Sequence, residues 1–144
     1  MKIYYWCPYL TNIATINAVK RSAISIKKYS KKNPDVSILD SSGEWLFFKN
    51  NSFDIKVLST LKNINLHKYL PKQGFIFSRI SFLIIFIINF FPLIYKIKKN
   101  KPNYLIIHLL TFLPIILSPL LSKNTKIILR ISGYPEMTIF RKIL

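Results

Sequence analysis

The sequence predicts an α/β fold: a mostly parallel sheet with helices on both faces. Three observations predict it. The stretch from Pro102 to Glu136 holds two short apolar runs, Tyr104–Ile107 ending at His108 and Ile127–Ile131 ending at Ser132 and Gly133. Roughly a dozen helix-compatible residues separate them, which is the pattern of a strand–helix–strand unit. Both runs are almost continuously apolar, as parallel strands covered on two faces must be. The N-terminal third repeats the theme, with strand-like runs at Lys2–Pro8 and Asp35–Asp40 flanking a helical pattern at Ile13–Tyr29. Ligands of open parallel sheets sit outside the carboxyl ends of the strands. His108, Ser132 and Gly133 are therefore expected on one rim.

The elements follow in order. Ile3 to Trp6 have high β-propensity, and Pro8 stops the run. The next loop, Tyr9 to Thr15, faces the expected cleft and contains no glycine, so no backbone phosphate cradle is read there. Thr11 or Asn12 is a suitable N-cap. In the helix, Ile16, Val19, Ala23 and Ile26 form one apolar face. Lys20, Lys27 and Lys31, with Arg21, Lys28 and Lys32 one residue on, form a broad basic stripe beside it. That stripe is read either as a docking surface for an anionic bilayer or as a solvated face. Asn33-Pro34 ends the helix. Ser41 to Glu44 is a turn at the cleft rim. Phe53–Leu58 is a third strand, giving a β-α-β-β start. Leu61–Gly74 reads as a loop in which His67 is exposed and has no companion for a metal.

Phe75 to Lys99 is the main fork. Ile80–Tyr95 is an apolar segment about 24 Å long as a helix, short of the ~30 Å of a bilayer core. Ser78, Ser81, Ile85, Asn89, Pro92, Lys96 and Lys99 recur along one side, all but Ile85 polar or helix-disrupting, opposite Phe77, Ile80, Ile84, Ile87, Phe91 and Ile94. Such a helix suits packing on a sheet or embedding in a membrane surface. Leu105–Leu121 offers a second apparent span, interrupted by His108, Thr111, Pro114, Ser118 and Pro119. A monotopic globular domain accounts for these breaks. The alternative is a small basic integral membrane protein with two transmembrane helices and no catalysis.

Composition narrows the partners. The 144 residues match one domain, and 51% hydrophobic content supplies a core. Mean hydropathy of +0.29 brings membrane contact into question. A net charge of +17, from 22 Lys and Arg against 5 Asp and Glu, calls for a polyanionic partner. Nucleic acid is disfavoured, because the aromatics lie in apolar runs and no recognition motif occurs. The single Cys7 forms no internal disulfide and fits a reducing compartment. The first residues do not form a signal peptide. No acidic pair has the spacing of an acid/base dyad, two lone histidines give no metal site, and no nucleotide-binding motif appears.

The order Pro-Asn-Tyr-Leu-Ile-Ile-His, an apolar helix, then Lys-Ile-Ile-Leu-Arg-Ile-Ser-Gly-Tyr-Pro resembles the family-four glycosyltransferases of the two-domain GT-B fold. It is most similar to their N-terminal, acceptor-side domain in bacterial surface-polysaccharide enzymes. The resemblance implies a Rossmann-like sheet over residues 1–144, with the C-terminal donor-binding domain absent and the fragment inactive alone; the chain stops where a helix starts. It implies no cofactor and no metal, the nucleotide-sugar donor being a substrate of the full-length enzyme. It also implies a lipid-linked or polysaccharide acceptor, and a peripheral location on the inner, cytoplasmic face of the cell membrane. The acceptor or cleft candidates are Asn12, Thr15, His108, Arg130, Ser132 and Gly133. The family often places a His after the last of these strands. Ser132-Gly133 stands there instead, so no catalytic residue is assigned. Arg130 would pair with a phosphate or carboxylate, or serve a structural ion pair. His108 matches a common family His, or is a hydrogen-bonded core imidazole.

Overall fold

The computed structural model describes residues 1–11, 14–49, 54–61, 64–108, 113–121 and 123–130. The candidates Asn12, Ser132 and Gly133, with Ile131 and Thr111, lie outside the described residues. In chain order the elements are β1 (Lys2–Trp6), α1 (Ala14–Tyr29), β2 (Asp35–Asp40), α2 (Leu46–Lys49), β3 (Lys56–Ser59), α3 (Phe75–Asn100), β4 (Tyr104–His108), α4 (Leu113–Ile116) and β5 (Lys126–Arg130). Short 3-10 turns lie at Leu66–Lys68 and Ser118–Leu120.

All five strands are parallel, in the order β3-β2-β1-β4-β5. The chain first steps from β1 to β2 and β3, then returns to the other side of β1. Right-handed crossovers in opposite directions put their helices on opposite faces, and the core divides accordingly. Ile3, Tyr5 and Cys7 point to one side and pack with Ile16, Val19 and Ala23 of α1. Tyr4 and Trp6 point to the other and pack with Leu93 and Ile97 of α3 and with Leu113 and Leu117. This is a Rossmann-like doubly wound sheet, and its strand order reverses between β1 and β4.

The structure corrects several sequence expectations. The third strand starts at Lys56, not Phe53, because Asp54 leaves the sheet and its carboxylate accepts a bond from Lys27 of α1 at 2.8 Å. A short helix, α2, separates β2 from β3, so these consecutive strands pair in parallel through a crossover rather than following one another directly. The second apparent membrane span does not exist as a helix: Tyr104–His108 is a strand between β1 and β5. The crossover after it holds a four-residue α4 and a 3-10 turn among its described residues. β5 is not covered on both faces, since Ile128 and Leu129 are exposed at the sheet edge.

The largest correction concerns α3. It runs 26 residues, ~39 Å at 1.5 Å per residue, so it is not short for a membrane. It starts at Gly74 and ends where Lys101 takes a left-handed conformation before Pro102, a stop of the usual kind. It is long and apolar enough to cross a membrane, yet only 28% of its most apolar stretch is buried within the protein. Its weakly polar side faces inward. Ser81, Ile85, Asn89, Leu93 and Ile97 are buried, while Phe77, Ile80, Ile87 and Phe91 are exposed.

Asn89 anchors this arrangement. Its amide nitrogen donates to the Ser41 carbonyl at 3.0 Å and to the Ile85 carbonyl at 2.8 Å, and its oxygen bonds the Thr60 hydroxyl. Ser81 donates to the Pro71 carbonyl at 2.7 Å. Replacing Asn89 by Leu leaves the Ser41 carbonyl without its donor, while the Thr60 hydroxyl keeps its bond to the Asp40 carbonyl. We expect Asn89→Leu to cost ~1–3 kcal/mol, read as a lower urea midpoint with an unchanged denaturant slope.

Candidate functional site

β2 ends at Asp40, and the chain turns at once through Ser41, Ser42 and Gly43 to Glu44. Both carboxyl groups fold back onto this turn. Asp40 Oδ1 accepts from the backbone N–H of Gly43 at 2.9 Å and of Trp45 at 3.2 Å, and Oδ2 accepts from Ser59 Oγ at 3.2 Å. Glu44 Oε1 accepts from Ser41 N and Oγ at 3.0 and 2.7 Å. Its Oε2 accepts from Ser42 N and Oγ at 2.6 and 2.9 Å. Gly43 makes the turn possible. Its φ is +97°, and a Cβ there would lie 2.7 Å from Asn65 Oδ1, so both conformation and space require glycine.

Glu44 is buried beside a second carboxyl group. Burial first, then the charge of Asp40 and a hydrogen bond with it, push its pKa up to about 8; the Ser41 bonds pull the other way. The Tyr9 hydroxyl donates to the Glu44 carbonyl, and Trp45 Nε1 donates to the Cys7 carbonyl at 3.1 Å. These bonds tie the turn to the loop after β1.

Above this floor opens a cleft of about 780 Å³. Its walls are Tyr9 to Thr11, Asn17 and Lys20 of α1, Leu46 to Phe48, and the segment carrying Asn65, His67, Lys68 and Lys72. Lys20 lies over the Phe48 ring at 4.2 Å. The His67 ring meets Tyr9 edge-on at 5.7 Å, and the His67 backbone N–H donates to the Ser42 carbonyl at 2.7 Å. His67 is thus half-buried, not exposed as expected. Burial, then Lys72, lowers its pKa. The cleft combines three lysines with three aromatic rings, so it can hold an anionic group beside an apolar or ring-shaped one.

A second cavity of about 580 Å³ shares Asn17 and is lined by Ala14, Ala18, Arg21, Ser22, Ser25 and Arg130. Two guanidinium groups from α1 and β5 thus flank the same space, as a phosphate or carboxylate site requires. Arg21, read from the sequence as part of a docking stripe, belongs here.

His108 ends β4 at the point where the strand order reverses. It is fully buried and stacks on Tyr5 at 6.3 Å and 28°. Neither ring nitrogen has a hydrogen-bond partner among the described residues, so the expected hydrogen-bonded core imidazole is not what these residues provide. Burial, then the Arg130 charge, lowers its pKa to about 4, so the ring is neutral. Arg130 is its register partner on β5. Thr15 sits half-buried in the first turn of α1. His108, Arg130 and Thr15 therefore share the carboxyl side of the sheet.

The remaining stripe residues diverge. Lys27 pairs with Asp54, Lys28 covers Tyr29 at 5.3 Å, and Lys31 and Lys32 are exposed beyond the far end of α1. Burial pushes the Cys7 thiol up to about 12, so it stays protonated. No group of three metal-binding side chains occurs among the described residues. Sequence reasoning missed Asp40, Glu44, Lys68 and Lys72. A strand-ending Asp followed by Ser-Ser-Gly-Glu was the available signal for the first two.

No family model, no curated protein and no solved structure matches this chain.

The pKa shifts set a pH signature. A raised carboxyl pKa stabilises the fold fully below about 4.5 and loses that contribution as pH rises through about 8. The lowered His108 pKa acts at the other end, its contribution fading as pH falls from 6.5 toward about 4. We expect Glu44→Gln to flatten the decline in melting temperature between pH 5 and 9 while leaving the acid limb. We expect Gly43→Ala to cost ~2 kcal/mol, read by equilibrium unfolding.

Proposed function

We propose that this chain is the acceptor-side domain of a glycosyltransferase that moves a sugar from a nucleotide-sugar to a lipid-linked or surface-polysaccharide acceptor. The resemblance of the Pro102–Pro135 stretch to family-four GT-B enzymes supports the reading. The observation that carries it is the open cationic and aromatic cleft on the carboxyl side of a doubly wound sheet. Lysines at Lys20, Lys68 and Lys72 suit the phosphates of a lipid-linked acceptor. Tyr9, Phe47 and Phe48 suit the faces of a sugar ring. Arg21 and Arg130 border the neighbouring cavity, where an incoming anionic group can be oriented. The nucleotide-sugar itself belongs to a second domain in such enzymes, and the acting protein sits on the inner face of the cell membrane. The competing two-helix membrane reading retains only α3 in its favour, because its second helix would run through β4.

The expected outcome is binding without turnover. A short-chain polyprenyl diphosphate-sugar should bind the purified chain, measured by calorimetry. Lys68→Ala with Lys72→Ala should weaken that binding roughly tenfold, about 1.4 kcal/mol. Hydrolysis or transfer from a nucleotide-sugar by residues 1–144 alone would refute the assignment of the donor site to another domain.

A further inference from the structure

The exposed side of α3 is the largest feature that the cleft leaves unexplained. Phe77, Ile80, Leu83, Ile87, Phe91 and Tyr95 are all at least 43% exposed. Helices of water-soluble folds bury their apolar face and expose the polar one. Here Ser81 and Asn89 are turned inward and hydrogen-bonded, so the helix cannot roll to hide its apolar side.

We infer that this face of α3 docks in the surface of an anionic phospholipid bilayer, with the helix axis in the membrane plane. Charge identifies the occupant. α3 contains no acidic residue. Arg79 lies near its start, over Phe75 at 4.3 Å, and Lys98 and Lys99 lie in its last turn. Lys98 follows Ile80 by five full turns at 3.6 residues each, so it continues the apolar face. Lys99 folds over Tyr95 at 5.6 Å. Aromatic rings with cations beside them suit the headgroup boundary. A second copy of the chain is a poor occupant: packed antiparallel, the face would set Arg79 against Lys98 and Lys99. The helix does not cross the bilayer, because its inner side is buried against the protein from Ser81 to Ile97. Docking also falls to α3 and not to the α1 stripe. The two helices lie on opposite faces of the sheet, so Lys28, Lys31 and Lys32 are turned from a membrane that holds α3. The first turn of α3 adjoins the segment carrying Lys68 and Lys72, which brings the cleft close to lipid headgroups. The inference deepens the membrane-linked part of the proposed function, rests on that reading only for the acceptor's origin, and stands without sugar transfer.

Vesicle sedimentation tests it with the purified chain, so its outcome is separate from any transferase assay. Binding to phosphatidylglycerol-containing vesicles should exceed binding to phosphatidylcholine alone. Ile87→Asp with Phe91→Asp should reduce partitioning at least roughly tenfold with an unchanged melting temperature, since both side chains are exposed. Lys98→Glu with Lys99→Glu should abolish the preference for anionic lipid. Lys28→Glu with Lys31→Glu and Lys32→Glu should change partitioning less than twofold. Phe77→Trp and Phe91→Trp, fourteen residues apart, should be quenched by brominated lipids at the same depth. A depth difference near 21 Å, the axial distance at ~1.5 Å per residue, would overturn the in-plane geometry. Unchanged binding by the aspartate variant would overturn the site. So would a wild-type dimer that binds no vesicles and falls apart on Ile87→Asp.

Discussion

A single buried amide holds this molecule in register. Asn89 sits in the middle of an otherwise greasy helix, and its bonds to Ser41 and Thr60 reach the turn after β2 and the end of β3. An unpaired amide in such a site costs more than most apolar contacts gain, so the helix has one acceptable rotation. That rotation does two things at once. It braces the turn that carries Glu44 from beneath, and it turns Phe77, Ile80, Ile87 and Phe91 outward. The cleft and the apolar face are therefore consequences of one polar constraint.

The charge distribution follows a similar logic. Two of the few acidic residues, Asp40 and Glu44, are spent inside the turn, where backbone and hydroxyl donors satisfy them. A third, Asp54, neutralises Lys27. The cleft is lined by Lys20, Lys68 and Lys72, and Lys98 and Lys99 lie in the last turn of α3. A basic chain with two of its five acids buried in one turn keeps a strongly positive surface. The raised pKa of Glu44 fits this picture, since a second negative charge beside Asp40 is unfavourable in so dry a place.

Much of the architecture was legible. β1, α1, β2 and β4 fall within a residue or two of where the apolar runs and Pro stops put them, because short runs with strong punctuation leave few alternatives. α3 was legible as a helix but not in length, since Lys96, Lys98 and Lys99 look like an end to a membrane span while being ordinary last-turn residues for a helix. β3 was displaced because Phe53, Ile55 and Val57 alternate convincingly, whereas Asp54 has a better partner on α1. The site was less legible. His108 and Arg130 come together as neighbouring strand ends, a relation that strand order alone predicts. The turn at Ser41 to Glu44 was legible at the cleft rim, but the meeting of Asp40 with Glu44 was not, because a four-residue spacing means nothing until a glycine at positive φ closes it.

The amino-acid order by itself determined the layers: which runs become most of the strands, where the first helix starts and stops, and that the sheet is mostly parallel. These are local matters of propensity, period and chain stops, and each is written within about ten neighbouring residues. Only the tertiary structure decided which side of α3 faces in and which lysines surround the cleft. Those outcomes depend on groups far apart in the chain, such as Asn89 with Ser41 and Lys20 with Lys72, whose meeting is set by packing of the whole sheet and not by any one segment.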